Sequence, residues 1–131
     1  MIVDSSALVA ILRDEHHANE LSTALVRSTA SRISAATFVE VGIVMDRRGD
    51  PRLGHGLDDL IALHAISIEP VTERQARIAR QAHRDYGRGS GHPAGLNYGD
   101  CFAYALARDT GEPLLYVGDD FALTDIRSAL P

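Results

Sequence analysis

Met1-Ile2-Val3-Asp4-Ser5-Ser6-Ala7-Leu8-Val9-Ala10-Ile11-Leu12 opens the chain, and the reading of this stretch decides the fold. A short apolar run ends at an acid, and a pair of serines then leads into a second apolar run. Serine is a favoured helix N-cap, so Ser5 or Ser6 predicts a helix that starts one tight turn after a strand. The alternation continues along the chain. His16 to Ser28, with Leu21 and Leu25 four apart, predicts a second helix, and Ile33 sits in a brief second strand. Ala36 to Arg48 predicts a third helix closed by Gly49 and Pro51, and Leu57, Leu60, Ile61 and Leu63 mark a fourth. Ile66 to Val71 reads as a third strand, and Thr72 caps a long fifth helix running to Tyr86-Gly87. Arg88 to Leu96, R-G-S-G-H-P-A-G-L, reads as the one sizeable flexible loop. Asn97 opens a sixth helix to Arg108, which Gly111 and Pro113 end. Leu114 to Val117 is a fourth strand, Gly118-Asp119-Asp120-Phe121 turns the chain, and Ala122 to Pro131 adds a final short strand. Strands alternating with helices predict an α/β fold: a three-layer sandwich around a central, mostly parallel sheet of four to five short strands.

Composition bounds this picture. A chain of 131 residues, 45% of them apolar, is enough for one core and one domain, expected to span residues 1–131. Charged residues at 24%, without low-complexity tracts, exclude a disordered chain or a fibre. The single cysteine, Cys101, allows neither an intramolecular disulfide nor a thiol cluster for zinc, which fits a reducing compartment. No apolar run approaches a membrane span and the first residues do not resemble a signal peptide, so a cytoplasmic protein with no membrane partner is expected. The net charge of −5 argues, at first sight, against a partner held by bulk positive charge. All 13 basic residues are Arg, which removes any mechanism that needs a lysine amine.

In an open parallel sheet, functional groups gather beyond the carboxyl ends of the strands. Asp4 stands there after Ile2-Val3, and Asp119 and Asp120 stand there after Leu114-Leu115-Tyr116-Val117. Glu40 lies inside the apolar stretch Phe38-Val39-Glu40-Val41-Gly42-Ile43-Val44, where an unpaired carboxylate costs several kcal/mol. Arg47 and Arg48 lie two turns on, too far to neutralise it. Asp100 falls three residues after Asn97, which gives a capping-box-like pair at the start of the sixth helix. Aspartates in turns and at helix starts have ordinary structural uses. Four acids at one sheet edge point further, because converging carboxylates repel unless a divalent cation neutralises them. Oxygen ligands select hard cations, so Mg²⁺ is expected, with Mn²⁺ the alternative. Such a site suits hydrolysis of a phosphodiester by water made nucleophilic at neutral pH.

The same residues carry a resemblance. The blocks Asp4-Ser5-Ser6-Ala7-Leu8-Val9-Ala10-Ile11, the helix holding Glu40, Gly95-Leu96-Asn97-Tyr98-Gly99-Asp100-Cys101-Phe102-Ala103-Tyr104-Ala105-Leu106-Ala107, and Pro113 to Phe121 through Thr124-Asp125-Ile126 resemble the VapC toxins of the PIN-domain family. The third block is long and specific, and the blocks follow the family's order over essentially the whole chain. The resemblance implies a magnesium-dependent ribonuclease of a type II toxin–antitoxin pair that cuts structured or single-stranded cellular RNA. It also implies a homodimer, inhibited by a VapB-like antitoxin whose tail inserts near the active site. Asp4, Glu40 and Asp100 match the family's first three acids, and Ser6 matches a Ser or Thr that supports the first. The fourth stays open: where the family often has Thr-x-Asp or Thr-x-Asn, this chain reads Tyr116-Val117-Gly118-Asp119-Asp120, and either Asp could serve.

The fifth helix adds a feature of its own. Arg74, Arg77, Arg80, Arg84 and Arg88 step by three, three, four and four, one stripe if the helix persists, with Ile78, Ala79, Ala82 and Tyr86 on the opposite arc. A solvated surface explains most charge runs, yet like charges at these spacings weaken a helix, and contact with RNA phosphates would account for them. Tyr98 and Tyr104 read as packing residues, with base stacking a weaker reading of Tyr98. The six histidines form no ligand pattern, His92 reads as a turn residue, and Cys101 as a small buried side chain. Two other classes compete. A phosphoacceptor-type α/β signalling domain also carries acids at strand ends, but it reads its phosphoryl group with a lysine that this chain lacks. A catalytically inactive PIN-like interaction module would gain stability by replacing Glu40 with an apolar residue.

Overall fold

Ile2–Val3 forms β1, and α1 (Ser5–Leu12) and α2 (Ala18–Arg27) carry the chain to β2 (Arg32–Ser34). Then come α3 (Ala35–Asp46), α4 (Pro51–Leu63), β3 (Ser67–Glu69), α5 (Glu73–Tyr86), α6 (Asp100–Thr110), β4 (Leu114–Leu115) and a 3₁₀ turn at Phe121–Leu123. These elements come from a computed structural model that describes all 131 residues. The sheet is parallel and four-stranded, in the order β3-β2-β1-β4. Ile2 pairs with Arg32 on one side and with Leu114 on the other, and Val3 with Leu115.

β1, β2 and β4, short as they are, are held because both their faces are covered, while the edge strand β3 stays largely exposed. Ile2 and Leu114 pack with α5 and α6 through Ala79, Ala82, Ala103 and Leu106. Val3, Ile33 and Leu115 pack on the other face with Leu8, Leu21, Val41 and Met45. Two apolar clusters flanking one sheet make the three-layer α/β sandwich that the alternation of strands and helices predicts. From β1 the chain steps one way to β2 and β3, and the other way to β4. The order therefore reverses between β1 and β4, which opens a crevice beyond their carboxyl ends, the place where open α/β sheets bind ligands. No helix is long and apolar enough to cross a membrane.

Several boundaries differ from those predicted. The expected last strand shrinks to a single bridge between Leu114 and Ser128, held by Arg127 O and Ala129 N at 2.9 and 2.8 Å, so the sheet has four strands. Pro51 does not close the third helix but begins the fourth. Proline suits a first helical position, where no N–H is required, and Asp50 caps the helix by accepting from Arg52 N. The N-cap of α1 is Asp4 itself, not Ser5 or Ser6. The glycine-rich segment is closed on itself and not slack: Arg88 N–H donates to Leu96 O and Leu96 N–H to Tyr86 O, at 3.0 and 2.9 Å. Ala94 and Leu96 are buried beneath it, while Gly89 and Gly91 take the positive φ that lets it double back. The helix around Glu40 is less enclosed than its composition suggests, since Val39 and Ile43 are 56% and 47% exposed.

Candidate active site

Asp4 is 2% exposed at the end of β1. Its Oδ2 accepts from Ser6 N–H at 3.0 Å and from the Ser6 hydroxyl at 2.6 Å. Ser6 Oγ in turn accepts from Val117 N–H at 3.0 Å. One serine thus fixes the acid and ties the loop beyond β4 to the first turn of α1, across the crevice. Gly118 follows with φ +101, which lets the chain turn sharply beyond this tie.

Asp100 enters from the first turn of α6. Its Oδ2 accepts from Asn97 N–H at 2.9 Å, and Asn97 Oδ1 accepts from Asp100 N–H at 2.9 Å. The reciprocal pair expected from their spacing is present, although regular helix begins only at Asp100. Glu40 projects from α3, has no arginine partner, and accepts weakly from the Ser5 hydroxyl at 3.4 Å. It lies against Gly99, where a Cβ would collide with the Glu40 carboxylate. Neither Gly99 nor Ser5 was a candidate from sequence. A glycine entering a helix, where its propensity is poor, is the one signal that could have pointed to Gly99.

Electrostatics shows which acids share a field. Burial raises the Asp4 carboxyl above its ordinary value against the pull of the Ser6 bonds, and the Asp120 charge raises it further. Burial, then the charges of Asp4 and Asp100, raise Glu40. Burial pushes Asp100 up to about 6, with Asp4 and Asp120 adding to the rise while the Asn97 N–H and the Arg88 charge oppose it. Glu40 therefore shares the field of Asp4 and Asp100, and the Asp120 charge acts on Asp4 and Asp100. Asp119 stands apart, lining a different cavity with His17, Glu20 and Leu21. Burial holds the Cys101 thiol at about 11, protonated at neutral pH, with Sγ on Asn97 O at 3.3 Å.

No three of these side chains close into a ready-made metal cage. The donors are nonetheless all oxygen, and carboxyls whose charge is disfavoured by burial and by one another mark a site that gains from a cation. An open arrangement suits a hard ion that keeps several of its waters.

The arginine stripe divides in two. Arg74 pairs with Asp109 at 2.6 Å and Arg77 with Glu73 at 2.7 Å. Arg80, Arg84 and Arg88 have no carboxylate within 4.0 Å, and Arg88 lies close enough to Asp100 to act on its charge. The helix ends at Tyr86, so Arg88 lies beyond the stripe in the following loop, and the free guanidiniums are Arg80 and Arg84 toward the end of α5 nearer the acids and Arg88 just past it.

The PIN-domain family matches residues 1–126. Ribonuclease VapC28 of Mycobacterium tuberculosis is 55% identical over 130 residues, covering 99% of this chain and 98% of the relative. Ribonuclease VapC42 of the same organism is 55% identical over 129 residues, covering 98% of each. Ribonuclease VapC of Mycolicibacterium smegmatis is 46% identical, covering 96% of this chain and 97% of the relative. Among solved structures, M. tuberculosis VapC20, described as a sarcin-ricin loop cleaving toxin, superposes with a TM-score of 0.77 at 17% identity, covering 99% and 98% of the two chains. A toxin–antitoxin complex from Klebsiella pneumoniae gives 0.68 at 17% identity over 92% and 89%. Likeness at such identity speaks for the fold, and the close relatives speak for the family. The chain belongs to the VapC ribonucleases of the PIN-domain family, enzymes that act on RNA as toxins of toxin–antitoxin systems.

Proposed function

We propose that Asp4, Glu40, Asp100 and Asp120 form the catalytic centre of a magnesium-dependent endoribonuclease, residues 1–131 acting as one nuclease domain, with manganese the alternative ion. The observation that carries this reading is the gathering of acids around the switch point between β1 and β4: Asp4, Glu40 and Asp100, buried or half-buried, are raised by burial and by neighbouring acid charge, and the exposed Asp120 acts on Asp4 and Asp100. Asp119, which lines a separate cavity, is left outside it.

Asp4, Asp100 and Glu40 would hold the cation. When bound, a divalent ion supplies a nucleophile at neutral pH and offsets charge on the phosphoryl oxygens. The protein's part is orientation and proton handling. Ser6 keeps Asp4 in place from two directions, and Asn97 does the same for Asp100. Glu40, whose hold on a proton is strengthened by burial and by Asp4 and Asp100, is suited to take the proton that the attacking water loses. The water oxygen would form the new P–O bond as the P–O bond to an ester oxygen of the chain breaks, and that oxygen takes its proton from solvent.

Protein partners follow the family. A VapB-like antitoxin is the proposed inhibitor, the exposed Val39 and Ile43 on α3 offer an apolar surface to a partner, a homodimer is the proposed assembly, and the cytoplasm the compartment. Relatives named as ribonucleases speak against a signalling domain.

The test is cleavage of RNA by the purified protein with and without magnesium. Asp4→Ala and Asp100→Ala are expected to abolish cutting, and a chelator to do so reversibly. Asp120→Asn is expected to slow cutting more than Asp119→Asn. Equal cleavage by the wild type and both alanine variants would reject the carboxylate assignment, and a larger effect at Asp119 would exchange the roles of the two neighbours.

A further inference from the structure

Tyr98 is 78% exposed, the most exposed of the large apolar and aromatic side chains together with Leu63. It stands two residues before Asp100, on the lead-in to α6, and its ring packs nearly perpendicular to that of Phe102, with centroids 4.9 Å and planes 81° apart. A perpendicular contact with one neighbour covers at most one face of the ring, and at this exposure the other face is available for stacking. Beside it a cavity runs between α5 and α6, floored by Ala79, Cys101 and Phe102 and rimmed by Arg80 and Arg84. Its lining is mostly apolar, yet the charges at its edge are the guanidiniums that lack a carboxylate partner. Arg74 and Arg77, farther from Asp100 along the same helix, are already neutralised by Asp109 and Glu73.

An exposed aromatic face, an apolar slot and unpaired cations at its rim have matching partners in one kind of ligand. A nucleobase stacks on the ring, and the phosphates on either side of it meet the guanidiniums. A protein segment would need the slot but not two free arginines, and duplex RNA would need the arginines but could not offer an unstacked base.

We propose that the groove between α5 and α6 is a subsite for one unpaired base of the RNA substrate, stacked on Tyr98, with Arg80 and Arg84 on its flanking phosphates. The subsite rests on the ribonuclease reading for its ligand, but not on which acids catalyse. In α6 the groove residues Cys101 and Phe102 directly follow Asp100, so the base held here would lie within a few nucleotides of the bond cut. It would give the enzyme a preference for strands or loops in which that base is free.

The experiment measures binding in a chelator, where nothing is cut, by anisotropy of a short labelled single-stranded RNA. Tyr98→Ala is expected to weaken binding about tenfold, within the range for a stacked base, while Tyr98→Phe retains it. An abasic position introduced along the RNA, one site at a time, should cost affinity at one site in the wild type and little there in Tyr98→Ala. Arg80→Gln with Arg84→Gln should reduce the slope of log affinity against log salt by about 1.4, two single-strand phosphates. Arg74→Gln with Arg77→Gln should leave the slope nearly unchanged. Thermal melting of each variant verifies folding, and Tyr98→Phe keeps the test informative if the alanine variant melts early. Unchanged RNA binding by Tyr98→Ala, or the same loss at every abasic site, would overturn the subsite. So would unchanged RNA binding with a shift in oligomeric state, which would make the groove a protein interface. Loss of cleavage in the acid variants, or its persistence, bears only on the catalytic assignment.

Discussion

Ser6 shows how much one side chain can be asked to do. Its hydroxyl donates to Asp4 and accepts from Val117 N–H, so it joins a candidate catalytic acid to the backbone beyond β4. Ser6→Ala leaves a backbone donor unpaired and frees the buried carboxylate from its strongest constraint. A stability loss of about 1–3 kcal/mol in urea titration and a fall in cleavage of roughly ten- to a hundredfold are expected. Ser6→Thr keeps the hydroxyl and should retain most of both. Equal behaviour of the two variants would remove Ser6 from the site. From sequence, Ser6 was legible only as a helix-start residue and by resemblance. That Asp4 takes over as N-cap while Ser6 turns to Val117 depends on β4, more than a hundred residues away.

Among elements, the decisive contact is between α3 and the entry to α6. Glu40 reaches the other acids because nothing but Gly99 stands in its way. Gly99 has ordinary helical φ and ψ, so space and not backbone freedom is what the glycine supplies. Gly99→Ala is therefore expected to displace Glu40 and reduce cleavage at least tenfold, with little change in melting temperature or far-UV helicity. Full activity in this variant would show that Glu40 does not need its present position. The periodicity of α5 was readable in the sequence, as were its Thr72 cap and its buried Ala79 and Ala82. The division of its arginines was not, because Asp109, which neutralises Arg74, belongs to α6.

At the scale of the molecule, the acids make folding and proton binding one problem. A carboxyl whose pKa is higher folded than unfolded binds its proton more tightly in the native state, so stability falls as pH rises between the two values. For Asp100 the window runs from its ordinary value of 3.8 to about 6, and above it the penalty is complete. Asp4 and Glu40 shift in the same direction. The metal-free protein should accordingly gain from Asp100→Asn at pH 7.5, by a few degrees in melting temperature, on the order of 1 kcal/mol for a domain of this size. The gain should shrink as pH falls toward 5, where Asp100 in the wild type is protonated. Asparagine can still accept from Asn97 N–H, so the turn is preserved. A variant less stable than the wild type at pH 7.5 would contradict the raised pKa. Saturating magnesium should raise the wild-type melting temperature at pH 7.5 and do so much less in Asp100→Asn.

The net charge of −5 argued against a polyanionic partner, and it misled because a sum has no direction. Acids gathered at one crevice can hold a cation, and arginines without partners beside it remain free for phosphate. By itself the chain determined what is local: the order of strands and helices, the acid after β1, the Asn97–Asp100 pair, and the arginine period of α5. Each follows from residues a few positions apart, where propensity and spacing act before any tertiary contact exists. The tertiary structure alone decided which of Asp119 and Asp120 puts its charge on Asp4, that Gly99 makes room for Glu40, which arginines are already paired, and that the last segment adds one bridge and not a strand. Those outcomes depend on distances between elements far apart in the chain, and burial and charge act across those distances whatever the sequence separation.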